Sequence, residues 1–250
     1  MEAIQPFHQA ASSLQRVWGK EHWHKHESNG WVGDAIYGVN DGLGAIFGII
    51  AGVAGYTNNT HAVLISGLFG GLASTLSMGA GAWLATKAES ELIDSELTHE
   101  RREIEDDPES ELEELSLLYQ LKGFSAEEAD KIARHLSKDK EQFVKVMAQE
   151  ELGIHETSHG NPWKSALFGS VSTLVGAMIP MIPFFFLTGL AAVISAAVVS
   201  IAAHFAVGAA KSLVTVRSWW SSGLEMTAAG IIVGVSAYLL GIAGTFLTHL

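Results

Sequence analysis

The sequence predicts an all-α, polytopic membrane protein with five transmembrane helices and an acidic helical insert between the second and third. Apolar runs at about residues 31–56, 62–85, 163–187, 190–210 and 226–247 are each long enough to cross a bilayer, which takes about 20 apolar residues as helix. Charge is segregated: residues 87–157 hold 21 acidic and 9 basic side chains and the remainder six of each, so one stretch carries the whole net charge of −12. With 48% hydrophobic and 17% charged residues, this is not the composition of an ordinary soluble globule. The organisation that follows is an N-terminal interfacial segment (1–30), helices one and two (31–86), an acidic helical domain (87–160) and helices three to five (161–250).

The N-terminal segment has no uninterrupted apolar core and no small-residue cleavage pattern, so the first span itself directs insertion. Phe7, Ala10, Ala11, Leu14, Val17 and Trp18 recur at helical spacing and suit a helix lying on the membrane surface. His22, His24 and His26 offer imidazoles, but alternate residues do not share one helix face.

The first span is interrupted by Asp34 and Asp41, seven residues apart and therefore on one face. A carboxylate inside a span is costly unless it meets a cation, a proton or a polar partner. Asp34 fits a hydrated, helix-capping role at the boundary as well as a place on a pathway. Asp41 lies roughly 22 Å inward of Tyr56 at ~1.5 Å per residue, inside a slab of ~30 Å. On the antiparallel second span, Met78 comes within a turn of that level, so a thioether and a carboxylate can face each other. Gly44, Gly48 and Gly52 on the first span, with Gly67, Gly70, Gly71, Gly79 and Gly81 on the second, give the small-residue spacing that lets membrane helices approach.

Orientation follows from Lys and Arg. All 15 lie before the first span, between the second and third, or between the fourth and fifth, at their borders included. The N-terminus and the acidic insert are therefore expected in the cytoplasm and the C-terminus outside or in a lumen; a bacterial or archaeal plasma membrane and a vacuolar membrane both accommodate this topology.

Within the insert, the second span continues into water as a helix through Glu105. Pro108 suits the first turn of the next helix, Gly123 stops it, and Ser125 with Glu128 forms a capping box for a third. A fourth runs from about Asp139 to Leu152, ended by Gly153. Glu100 with Glu103 and Glu111 with Glu114 are i, i+3 pairs, and Met147 with Glu151 is an i, i+4 pair. Packed together, such faces make a cluster of carboxylates with one thioether. Hard oxygen ligands suit Fe²⁺, Mn²⁺, Mg²⁺ and Ca²⁺, and a thioether biases the set toward a transition ion. Acidic runs are more often solvated helix faces. The chain has no cysteine, which excludes thiolate and iron–sulfur ligation.

The stretch Asp34-Ala-Ile-Tyr-Gly-Val-Asn-Asp41-Gly-Leu43, Ser77-Met78-Gly79, the paired Glu-x-x-Glu of the insert, Glu151-Leu152-Gly153 and Ile179-Pro180-Met181-Ile182-Pro183 together resemble the vacuolar iron transporter family, in consistent order from about residue 31 to the end. The resemblance implies a five-helix homodimer that moves Fe²⁺, with Mn²⁺ as an alternative, out of the cytoplasm in exchange for protons. It implies no enzyme, no prosthetic group and no nucleic-acid partner; the partners are metal ions, protons, the lipid bilayer and a second copy. Asp41 and Met78, with Asp34, would line the pathway, and Glu100, Glu103, Glu111, Glu114, Met147 and Glu151 would bind metal. Two positions depart from the family pattern: Gly70 replaces a second-span Glu, and Ala148 replaces a second Met. The rival reading is a membrane-anchored iron-binding or sensing protein that does not transport. Oxidising storage fits less well, because the pairs lack a Glu-x-x-His repeat.

Overall fold

The computed structural model describes residues 30–154, 160–213, 215 and 217–247; the His22, His24 and His26 tract lies outside the described residues, and so does the side chain of Asp34. The elements run α1 (Gly30–Tyr56), α2 (Thr60–Asp106), α3 (Pro108–Leu121), α4 (Ala126–Leu136), α5 (Lys140–Glu150), α6 (Pro162–Met181), a 3₁₀ turn (Ile182–Phe185), α7 (Gly189–Lys211) and α8 (Trp219–Leu247). All five expected spans are present as helices long and apolar enough to cross a membrane, within α1, α2, α6 with its 3₁₀ turn, α7 and α8. At ~1.5 Å per residue the 47 residues of α2 extend about 70 Å, more than twice an apolar layer of ~30 Å, so its charged half projects beyond it.

Helix α1 is central and touches the other four spans. Lipid tails are as apolar as leucine, so helices gain little by hiding greasy faces from them; close packing must supply the attraction. Glycines provide it. A Cβ on Gly42 would stand 2.0 Å from the Thr173 carbonyl of α6, and one on Gly176 would stand 2.1 Å from the Val39 carbonyl of α1. On the other flank, a Cβ on Gly241 of α8 would meet the Gly52 carbonyl at 2.0 Å. The expectation that Gly44, Gly48 and Gly52 bring α1 to α2 is corrected here. They face His204, Val233 and Ala237 on α7 and α8, while Gly67 and Gly71 of α2 make room for Met181 and Ala177 of α6. The spacing marks a close-packing face without saying which helix it meets.

The core of the bundle is Ile46, Ile50, Val63, Ala177, Met181, Phe184, Ala192 and Ala196. Gly189 has φ +58° and opens α7 in the left-handed region that only glycine enters cheaply. Its N–H donates to Thr60 Oγ1 at 2.8 Å, which ties the two short connections together at one end of the bundle. Helix α8 begins at Trp219, before the expected residue 226. Ser221, Ser222 and Glu225 interrupt the apolar run without interrupting the helix.

In the insert, local signals and structure agree. Pro108 occupies the first turn of α3, whose N-cap Asp107 accepts from Ser110 N–H; Gly123 follows with φ +99°. Ser125 and Glu128 form the reciprocal capping box of α4, Asp139 caps α5, and Gly153 (φ +69°) lies just beyond it. These helices close on a small core of Ile104, Leu115, Ala133, Phe143, Val144 and Met147. Arg101–Glu141 (2.9 Å) and Lys140–Glu105 (2.6 Å) ion pairs bind α5 to the projecting half of α2.

Candidate metal site and intramembrane acid

The five glutamates expected as ligands converge although they come from three separate segments. Glu100 and Glu103 stand on the projecting part of α2, Glu111 and Glu114 on the first turns of α3, and Glu151 caps the C-terminus of α5. Glu100 is 2% exposed, and its carboxyl is pushed up to about 8 by burial first, then by Glu151, Glu111 and Glu103. It shares a side-chain hydrogen bond with Glu151, which further favours its protonated form, while its Oε1 is buried without a partner. Glu111 is pushed up to about 7 by burial, then by Glu114, Glu103, Glu151 and Asp107; Glu114 is raised too, by burial and then by Glu151 and Glu103. Asp107 belongs to this field and was missed in the sequence, where it reads as a helix cap.

Carboxylates crowded together hold protons because like charges cannot all ionise in a partly desolvated place. A divalent cation resolves the same conflict by replacing the protons. The side chains adjoin without forming a closed shell: among the described residues no three His, Asp or Glu are grouped as a ready ion site. Met147 is fully buried, in the insert's apolar core beside Ile104, Leu115 and Phe143, with the Glu151 N–H bonded to its carbonyl at 2.8 Å. Ala148, at 1% exposure, is part of the same buried face.

In the bundle, Asp41 is half-buried and its Oδ2 accepts a hydrogen bond from Ser74 Oγ of α2 at 3.1 Å. Sequence reasoning missed Ser74, because one serine on an apolar helix makes no pattern. Met78 lies one turn further along α2 on the side of Ser74, packed on α6, where a Cβ on Gly169 would touch its Cγ at 3.3 Å. Asp41, Ser74 and Met78 thus occupy neighbouring turns of α1 and α2. At Gly70, a Cβ would meet Ile49 Cδ1 at 2.5 Å, so an apolar side chain of α1 fills the space. Glu225 is exposed and ion-paired with Arg217.

The sequence profile described as the VIT family matches residues 32–242, most of the chain. The chain belongs to the VIT family. Among the relatives of this VIT-family chain, vacuolar iron transporter 2 of Oryza sativa subsp. japonica is 29% identical over 226 residues, 90% of this chain and 92% of that protein. Vacuolar iron transporter 1 of Arabidopsis thaliana is 29% identical over 221 residues, 88% of each. The vacuolar iron transporter of Acanthamoeba castellanii is 37% identical over 169 residues, 62% of this chain and 60% of that protein. Together with its five apolar helices, this makes the VIT-family chain a multi-pass membrane protein.

Proposed function

We propose that this protein carries Fe²⁺, with Mn²⁺ as a second substrate, out of the cytoplasm in exchange for protons, and that it works as a homodimer with its N-terminus and insert in the cytoplasm. The observation that carries the reading is the join of two acidic sites by one helix: α2 bears Glu100 and Glu103 at its charged end and Ser74 and Met78 beside Asp41 in its apolar half. The names of the relatives support iron as the cargo.

The insert loads the ion. Glu100, Glu111 and Glu114, whose carboxyls burial and like charge push up, hold protons that Fe²⁺ displaces, Glu103 and Glu151 add oxygen donors, and Met147 lies beneath as a soft donor or a packing floor. The ion then enters the membrane by exchanging these oxygens for Asp41, Met78 and water, with Asp34 at the entrance. In this reading the Asp41 carboxylate, set within a span, is met by cargo and by a proton in turn. Ser74 holds Oδ2 and leaves the other oxygen for cargo.

The test is metal and proton flux measured together in vesicles holding the full chain, offered Fe²⁺, Mn²⁺, Co²⁺ and Zn²⁺. Expected is Fe²⁺ movement with protons moving the opposite way. Stoichiometric Fe²⁺ binding with no flux would instead establish a sequestering or sensing protein.

A further inference from the structure

Between α2 and α6, at the end of the bundle nearest the insert, lies an open groove of about 620 Å³ walled almost wholly by apolar atoms. Gly79 sets its floor: a Cβ there would stand 2.2 Å from Ser170 Oγ, so the two helices touch along that line. Ala80 and Ala166 put only methyl groups on the walls. Leu76, Leu84 and Leu167 form the rim and are 74%, 60% and 61% exposed. From Leu76 to Trp83 the groove follows α2 for about 10 Å.

The insert-side end of the groove is aromatic and basic. The rings of Trp83 and Trp163 meet edge to face, 6.0 Å apart at 61°, and Lys87 Nζ lies 4.9 Å from the Trp83 ring centroid. Lys164 follows Trp163 and is exposed; it is the one charged residue of α6, and Lys87 is the first Lys, Arg, Asp or Glu beyond the apolar half of α2. Tryptophan at the membrane–water boundary, with lysine stems on apolar surface and ammonium heads in water, marks the level of lipid headgroups. Lys87 also pairs with Glu91 at 3.5 Å, but an ammonium has three donors and Glu91 stands about 6 Å further from the apolar layer. The groove is apart from the ion pathway: Trp83 is nine residues from Ser74, about two and a half turns, and so on the opposite side of α2 from the partner of Asp41.

We propose that this groove binds one anionic phospholipid of the insert-side leaflet. An acyl chain lies along Ala80, Ala166 and Leu167, the glycerol region rests on Trp83 and Trp163, and the phosphate pairs with Lys87 and Lys164. Charge selects this occupant. A second copy of the chain, seated here by a twofold axis along the membrane normal, would bring its own Lys87 and Lys164 to the same level and set like charges against each other. A zwitterionic headgroup brings an ammonium with its phosphate, whereas an anionic one answers two lysines at one level with net negative charge.

The full chain in neutral detergent tests it, titrated with phosphatidylglycerol or with phosphatidylcholine of the same acyl chains and followed by native mass spectrometry and melting. Wild type should retain one phosphatidylglycerol per chain, with a saturable rise in melting temperature, and prefer it to phosphatidylcholine at least about tenfold; equal binding of the two lipids overturns the proposal. K87Q/K164Q should lose that preference by about tenfold or more, since each lysine near a headgroup contributes on the order of a factor of five. A80F, whose ring fills the groove, should lose the bound lipid, and retention in either variant overturns the site. K211Q, which removes a lysine in the last turn of α7, should bind as wild type does; a loss equal to that of K87Q/K164Q would show diffuse surface charge instead of a site. If the double variant misfolds, K164Q alone carries the test with a severalfold loss expected, and wild-type preference in K164Q counts against the proposal. Should A80F lower the number of chains per particle, the groove is covered by a second copy, which also overturns it.

Discussion

At the residue scale the molecule depends on where it places acids that water would otherwise keep ionised. Asp41 is bound to Ser74, and replacing it with Asn keeps the hydrogen-bonding shape while removing the charge that a cation or proton must neutralise. D41N should abolish Fe²⁺ flux in vesicles and leave Fe²⁺ binding by the insert intact; wild-type flux in D41N would end the proposed pathway. Among the described residues of the insert, Glu100 is the carboxyl pushed up furthest, and E100Q keeps its volume without its negative form. Loss of an outer-sphere partner of a metal ligand typically costs about 10–100-fold in affinity, so loss of a direct ligand should weaken Fe²⁺ binding by at least about tenfold. Calorimetric titration of the full protein checks this, and unchanged affinity would remove Glu100 from the ligand set. The identity of these acids was legible because spacing puts Glu100 with Glu103 and Glu111 with Glu114. The placement of Met147 was not: its neighbours Ile104 and Leu115 arrive from other helices, and only the packed insert shows the thioether in an apolar core.

At the scale of elements, the boundaries the sequence announced were those with a local physical cause. Pro108 lacks the N–H that a first turn does not need, Gly123 and Gly153 take positive φ, and Ser125 with Glu128 satisfies orphan donors reciprocally. The start of α8 has a local cause too, Ser218 accepting from the Ser221 N–H at 3.3 Å as an N-cap, but Ser221, Ser222 and Glu225 look like a break when only apolarity is followed. Partner choice had no local signal: one glycine stripe on α1 serves α7 and α8, and another, Gly38 and Gly42, serves α6. G42A should be severe, because its methyl would stand 2.0 Å from the backbone carbonyl of Thr173 and neither helix can yield locally. Overpacking of this kind costs about 1–3 kcal/mol or more, which should appear as a lower melting temperature in detergent and reduced flux. G81A is the control, since nothing lies within 4 Å of its added methyl, and it should melt no lower than wild type. Equal melting of the two variants would mean that α1 and α6 do not cross as described.

At the scale of the whole molecule, the insert and the bundle are joined by one continuous helix, so proton occupancy in the acidic cluster bears on the stability of the assembly. Glu100 and Glu111 titrate near 8 and 7 in the folded chain, against about 4.5 for an ordinary glutamate. A folded state that holds protons the unfolded chain has lost is favoured by low pH. The contribution is fully present below about pH 4.5 and is lost as pH rises through 7 and 8, so the metal-free protein should melt at progressively lower temperature from pH 5.5 to 8.5. Fe²⁺ or Mn²⁺ binding expels those same protons, so it should tighten with pH over the same window and raise the melting temperature most at pH 8.5, where the cluster is most strained. Melting of the full protein at pH 5.5, 7 and 8.5, with and without Mn²⁺, reads both effects at once. E100Q separates them: without the ionising group, the decline with pH should shrink, and with a ligand gone the gain from Mn²⁺ should shrink as well. A melting temperature that rises with pH in the metal-free protein would show that the five glutamates are solvated apart from one another, and the loading site would then have to lie elsewhere along α2.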